Sequence, residues 1–314
     1  MPAATTPDRP EPPAGAPAEG LPSVRVFIGK GGVGKSTCSA ATAVGLAGRG
    51  VRTLAISTDP TPSLSHVFEL APGGDRPREV RPGLEILELG REQVRAMWDE
   101  RFGRDVYRVF SAFVDVDYPT FVEFITSVLP GLNEEFMVDH IRRLAGEEEY
   151  EAIVWDTAPL GQTLALLETP ALLGDHLRMA PRIYSRLRSS GASRESILDV
   201  LARWEELARA CMAFLRESVS FTMVTIPEAL AVEQLEGVLS DMASYDLKVD
   251  RLVVNNVVRE EDSDFLRRKA EGQRAQLERI RERWGHLPIV TVPLFPYELR
   301  GVARLEEVAR ILRD

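Results

Sequence analysis

Val24-Arg25-Val26-Phe27-Ile28-Gly29-Lys30-Gly31-Gly32-Val33-Gly34-Lys35-Ser36-Thr37 is the stretch on which the reading of this chain turns. An apolar, β-branched run ends in glycines and passes directly into an alanine-rich segment, Cys38–Leu46, of helical character. Gly29 to Thr37 satisfies G-x-x-x-x-G-K-[ST] between a strand and a helix, where that motif has to sit. Glycines free successive backbone N–H groups to turn inward around a phosphate, and the start of the next helix adds positive potential. The residues expected to cradle a nucleotide are Gly29, Gly31, Gly32, Val33, Gly34, Lys35, Ser36 and Thr37. Lys35 would reach the β- and γ-phosphates and the Ser36 hydroxyl would ligate Mg²⁺.

Working outward, short apolar runs recur at wide spacing: Val24–Ile28, Thr53–Ser57, Leu84–Leu89, Ala152–Trp155, Phe221–Thr225, Arg251–Asn255 and Pro288–Val292. Nearly continuous apolar strands separated by helical stretches indicate a parallel sheet covered on both faces. The expectation is an α/β fold, a doubly wound and mostly parallel sheet of seven strands forming one domain over residues 23–314. Two stretches interrupt the alternation and read as helical insertions, at about 90–150 and 163–218. In the first, Phe121, Phe124, Ile125, Val128 and Leu129 share one helical face; such a stripe either packs in the core or lines a groove for an apolar client. Residues 1–22 hold seven of the chain's 21 prolines and no aromatic residue, a composition that predicts a disordered tail.

Composition narrows the chemistry. The chain has 314 residues, 44% hydrophobic and 27% charged, enough for a sizeable core. Lys and Arg number 38 against 48 Asp and Glu, a formal charge of −10, which argues against sequence-independent nucleic-acid binding. Two cysteines, Cys38 and Cys211, cannot form a disulfide framework or a four-cysteine metal site, and suit a reducing cytoplasm. The sequence holds no apolar run of membrane-spanning length and no leader is expected, so membrane contact is expected only through a partner or a surface groove. The four histidines show no metal-ligand spacing.

Two acidic residues stand at the carboxyl ends of expected strands, the edge where such sheets bind ligands. Asp156 closes the run Ala152–Trp155 and reads as the carboxylate that holds Mg²⁺ through water. Asp59, in Ser57-Thr58-Asp59-Pro60, is placed to orient an attacking water near the same ion.

The combination of Gly29–Thr37, the S-T-D-P-x-x-S-L-S of Ser57–Ser65 and the D-T-A-P-x-G-x-T-L of Asp156–Leu164 resembles the anion-transporting ATPase family. That family comprises the soluble ATPase of the arsenite pump and the ATPase that targets tail-anchored membrane proteins. Further matches are Pro130-Gly131-Leu132-Asn133-Glu134, Ile226-Pro227-Glu228-Ala229-Leu230, Val254-Asn255, Val292-Pro293-Leu294 and Glu298-Leu299-Arg300-Gly301, so the resemblance runs from about Val24 to Leu312. It implies ATP and Mg²⁺ as cofactors. It also implies a deviant phosphate loop, in which Lys30 reaches a nucleotide on the facing subunit of a homodimer. By the same resemblance, Asn255 and Pro293 hold the adenine, and Glu228 lies near the nucleotide at the subunit interface.

Three departures from the family pattern bear on function. Leu160 and Gln162 replace the Thr and His usual in the second switch. The region Val257–Arg274 lacks the C-x-x-C that joins some members through zinc, so no zinc is expected. The cysteine set of the arsenite pumps is missing, and a soft trivalent metalloid needs about three thiolates. The expectation is a dimeric Mg²⁺-ATPase that captures and releases an apolar client, most simply a membrane-protein segment, with a membrane receptor or permease as a further partner. The competing expectation is the soluble ATPase subunit of an anion or metalloid efflux pump. A positioning ATPase of the chromosome-partition type and a regulatory subunit with little turnover are the other readings.

Overall fold

The computed structural model describes residues 23–58, 63–71, 76–111, 115–128, 132–147, 149–157 and 194–313. The expected tail, Asp59, Leu160, Gln162 and most of the second expected insertion lie outside the described residues. Numbered through those residues, the elements begin with β1 (Ser23–Ile28), α1 (Lys35–Ala47), β2 (Thr53–Ser57), α2 (Ser63–Val67), β3 (Arg78–Arg81) and β4 (Leu84–Glu88). A helical stretch follows: α3 (Arg91–Trp98), α4 (Arg104–Phe110), α5 (Tyr118–Val128) and α6 (Leu132–Gly146). Then come β5 (Ala152–Asp156), α7 (Arg194–Glu217), β6 (Val219–Thr225), α8 (Ala229–Ser244), β7 (Val249–Val257), α9 (Asp264–Trp284), β8 (Ile289–Pro293) and α10 (Gly301–Ile311).

The strands form one sheet in the order β3-β4-β2-β5-β1-β6-β7-β8, parallel except for β3. From β1 the chain winds one way through β2 and β4 and, after β5, the other way through β6, β7 and β8. The reversal places a crevice at the carboxyl end of β1, the position where doubly wound sheets bind ligands.

Strand side chains alternate between two cores, which is why the apolar runs are continuous. Val24, Val26, Ile28, Leu54, Ile56, Ile153, Trp155, Phe221, Met223, Leu252 and Val254 face one side. Phe27, Ala55, Leu84, Ile86, Val154, Val224 and Val253 face the other, beneath α1 and α10. Phe121, Val122, Met137, Val138 and Ile141 of the first insertion belong to the same core as the first strand face. These helices are therefore a covering layer of the sheet, without a core of their own among the described residues.

The sheet has eight strands where the apolar runs predict seven. β3 is the addition: Arg-Glu-Val-Arg pairs antiparallel with β4 at the sheet edge, with a register shift between Glu79 and Arg81. A short, charged, bulged edge strand resists pairing with other chains and leaves no apolar run to detect.

α1 is buried on nearly all sides from Cys38 to Ala47, lying between the sheet and α10. Small side chains permit this close approach; a Cβ on Gly45 would lie 3.2 Å from the Ala309 Cβ. Gly45→Leu should push α10 off α1 and destabilise the protein by about 1–3 kcal/mol, the usual effect of overpacking, read from urea unfolding.

Candidate functional site

The loop after β1 is shaped by two close backbone approaches. A Cβ on Gly29 (φ +151°) would come within 2.3 Å of the Val224 carbonyl oxygen at the end of β6. Gly34 caps α1 in the left-handed region (φ +93°), and a Cβ there would meet the Asn255 Nδ2 at 2.2 Å. A Cβ on Gly31 or Gly32 would meet nothing within 4 Å, so no close approach requires glycine there, although Gly32 is left-handed (φ +78°).

Asn255 is buried at the carboxyl end of β7, and its Nδ2 donates to the Val33 carbonyl at 3.0 Å. One amide N–H is thus committed to the loop. Leu294 N–H donates to the Val257 carbonyl, so the end of β8 with Pro293 lies beside the end of β7. Asn255 and Pro293 are accordingly on neighbouring strand ends. Lys35 folds back over the loop, its Nζ donating to the Lys30 carbonyl at 3.1 Å, while the Lys30 side chain is exposed on the rim. Ser36 sits in the first turn of α1, its carbonyl accepting from Ser39 Oγ at 2.9 Å. Glu228 is exposed and pairs with Lys269 at 3.5 Å.

Asp156 is 1% exposed. Its Oδ2 accepts from Ser63 Oγ at 3.2 Å, and the Ser57 and Ser63 hydroxyls are 3.2 Å apart. Thr58 N–H donates to the Asp156 carbonyl at 3.2 Å, and Trp155 Nε1 donates to Thr58 Oγ1 at 3.2 Å. These bonds fix the residue before Asp59. No group of three or more His, Cys, Asp or Glu able to hold a metal occurs among the described residues. A single carboxylate and one serine hydroxyl beside a phosphate cradle suit Mg²⁺, a hard cation that keeps waters and shares substrate phosphates. The residues present fit that ion.

Several residues here escaped the motif reading. Gln273, buried on α9, donates to the Asn256 carbonyl at 2.9 Å and accepts from Val258 N–H at 2.8 Å. It clamps the irregular exit of β7, where Asn256 is left-handed (φ 57°). Nothing in the charged pattern around Gln273 marks it. Ser63 stands in the S-T-D-P-x-x-S-L-S motif without an assigned role, and Glu88 was missed. β4 ends at Glu88 just as β5 ends at Asp156, but the apolar run in the sequence continues to Leu89, so the strand-end rule passes over Glu88.

The profile of the anion-transporting ATPase family matches residues 23–314. The chain belongs to that family. An ATPase GET3B of Arabidopsis thaliana is 31% identical over 317 residues, covering 90% of this chain and 77% of the relative. An Aquifex aeolicus (strain VF5) protein, named provisionally as arsenical pump-driving ATPase 2, is 29% identical over 302 residues, 92% of this chain and 99% of the relative. An ATPase GET3 of Komagataella phaffii is 28% identical over 315 residues, 91% and 89% of the two chains. This member of the family is an ATPase, and its α/β sheet is the frame expected from the phosphate loop.

The two cysteines of this family member are far from forming a common site. Cys38 lies in the core on the α1 side of the sheet and Cys211 in the core on the opposite side. Burial pushes the Cys38 thiol up to about 12, so it is neutral at physiological pH. No helix among the described residues is long and apolar enough to cross a membrane.

Gly34→Ala should abolish nucleotide binding in calorimetric titrations while far-UV circular dichroism stays native, because the added methyl collides with the Asn255 amide and the left-handed cap is lost. A variant that binds ATP like the wild type would contradict this account of the loop.

Proposed function

We propose that this ATPase works as a Mg²⁺-dependent homodimer whose nucleotide cycle opens and closes an apolar surface, capturing and releasing an apolar client such as a membrane-protein segment. The observation that carries the reading is the make-up of the carboxyl edge. Lys30 is exposed there, and Leu230 (67% exposed), Phe265 (72%) and Leu294 (39%) stand at the start of α8, the start of α9 and the end of β8. Large apolar side chains grouped around the mouth of a polar site suit cover by another protein surface. A second copy facing this edge would bury them and bring its own Lys30 to the phosphates.

In this reading Lys35 unfolds from its contact with the Lys30 carbonyl to pair with the β- and γ-phosphates, and the α1 N-terminus supports the same charge. Ser36 would hold Mg²⁺ directly and Asp156 through water, and the ion would supply positive charge beside the phosphates. Asp59 orients the attacking water, and Lys30 adds positive charge across the interface. A lysine suits that reach, being a compact charge on a flexible stem. Asn255 and Pro293 receive the adenine, and Glu228 stands at the interface.

The client side has a narrower basis. Phe121 of α5 is buried against Tyr107 and Tyr118, whereas Phe124 is 53% exposed on the same helix. The stripe is therefore partly core and partly surface, and Ile125, Val128 and Leu129 lie beyond the described side chains. The pump-driving role in the Aquifex relative's name meets a physical obstacle here: two cysteines on opposite sides of a sheet cannot bind one metalloid.

The deciding experiment uses Asp59→Asn, expected to bind ATP and hydrolyse it poorly, as a trap. Proteins co-purifying with it in Mg²⁺-ATP, compared with Lys35→Ala, should be enriched in single apolar membrane segments. One integral permease would favour the pump reading, and nothing beyond the control would remove the client from the proposal. Separately, Lys30→Ala should lose ATP-dependent compaction of the dimer in sedimentation velocity; an unchanged dimer and rate would take Lys30 out of the interface. Phe265→Glu should bind ATP normally yet sediment as a monomer, and a persistent dimer would place the interface elsewhere.

A further inference from the structure

β2 lies between β5 and β4, and the register sets Ser57 opposite Asp156 on one side and Glu88 on the other. In-register residues of parallel strands project to the same face. Phe27, the β1 partner of Asp156, packs in the core beneath α1, so Asp156, Ser57 and Glu88 form a row on the α1 side of the carboxyl edge. α2 docks onto this row at two points. Ser63 Oγ donates to Asp156 Oδ2 at 3.2 Å, and the next residue, Leu64, donates its backbone N–H to Glu88 Oε1 at 2.7 Å. The Leu64 side chain is fully buried in the same core.

Glu88 Oε2 is buried and has no hydrogen-bond partner among the described residues. Burying a carboxylate with one oxygen unsatisfied costs free energy, and an apolar residue at this strand end would avoid that cost. What the carboxylate supplies is a fixed acceptor for the Leu64 amide, which sets the backbone that carries the Ser63 hydroxyl.

We propose that Ser63 and Glu88 are positioning residues for Asp156: Ser63 fixes the plane of its carboxylate, and Glu88 fixes Ser63. The proposal rests on the reading of Asp156 as the carboxylate facing Mg²⁺. A carboxylate that turns freely about its last torsion offers its oxygens in many directions; a hydroxyl donating to one of them selects a single orientation. Outer-shell partners of this type commonly change metal affinity by about 10–100-fold when removed. Neither residue has to touch the nucleotide, so the effect belongs to the ion and not to ATP.

The test is binding of a fluorescent ATP analogue, first in EDTA and then across a Mg²⁺ titration. Ser63→Ala and Glu88→Ala should bind the analogue in EDTA like the wild type and need about tenfold more Mg²⁺ for half of the Mg²⁺-dependent signal. Glu88→Gln keeps an oxygen that accepts the Leu64 N–H and should titrate like the wild type. Asp156→Asn should lose the Mg²⁺-dependent signal. Wild-type titrations for Ser63→Ala and Glu88→Ala would overturn the proposal, as would weakened binding in EDTA, which would mark a merely structural role. A Glu88→Gln variant as defective as Glu88→Ala would also overturn it, showing that charge and not the acceptor is required. A normal titration for Asp156→Asn would instead overturn the underlying reading of Asp156.

Discussion

The hydrogen bond from Asn255 Nδ2 to the Val33 carbonyl ties the phosphate loop to a strand two places away in the sheet. It works together with the missing side chain at Gly34, because only glycine leaves room for the amide and accepts the left-handed backbone that starts α1. The loop is therefore held from β7 as well as from β1, and the amide that holds it is on the strand next to Pro293. One residue thus holds the phosphate loop from the far side of β6, its N–H bonded to the loop backbone.

The rest of the molecule makes that contact possible. Two cores, one on each face, clamp the strands so that their carboxyl ends form a stable rim. On one face α1 is built from small residues and is almost entirely buried, so the helix that begins at the loop has little freedom to shift. On the other face the helices from α3 to α6 share a core with the strands. A change at the rim thus has a direct packing route to those helices, through Trp155 and Ile153 of β5, which lie in that shared core beside the end of Asp156. The proposed coupling of nucleotide to a surface on the helices would run through this continuous core.

Legibility in the sequence followed the strength of local signals. The continuous apolar runs and the glycine-rich loop identified the parallel sheet and its functional edge, since both are dictated by burial and backbone geometry. β3 was illegible because an edge strand is protected by charge and not by burial. Asn255 was expected at the base, and what the structure shows is its bond to the loop; that contact spans 222 residues of sequence and has no local signature. Gln273 and Glu88 share this character, as their roles come from partners on other elements, and Ser63, though in a motif, takes its role from a partner strand. The stripe on α5 shows the limit of periodicity: it predicted a helical face, and only packing separated buried Phe121 from exposed Phe124.

The central claim is that a complete site needs two copies, one binding the nucleotide through Lys35 and the other supplying Lys30. Mixing two separately inactive variants, Lys35→Ala and Lys30→Ala, tests it most directly, with ATP hydrolysis and heterodimer formation measured on the same sample. A mixed dimer has one whole site, formed by Lys35 of the Lys30→Ala copy and Lys30 of the Lys35→Ala copy. The account predicts that the mixture regains about a quarter of wild-type activity, since random pairing completes that share of sites. Heterodimers that form and stay inactive would contradict it.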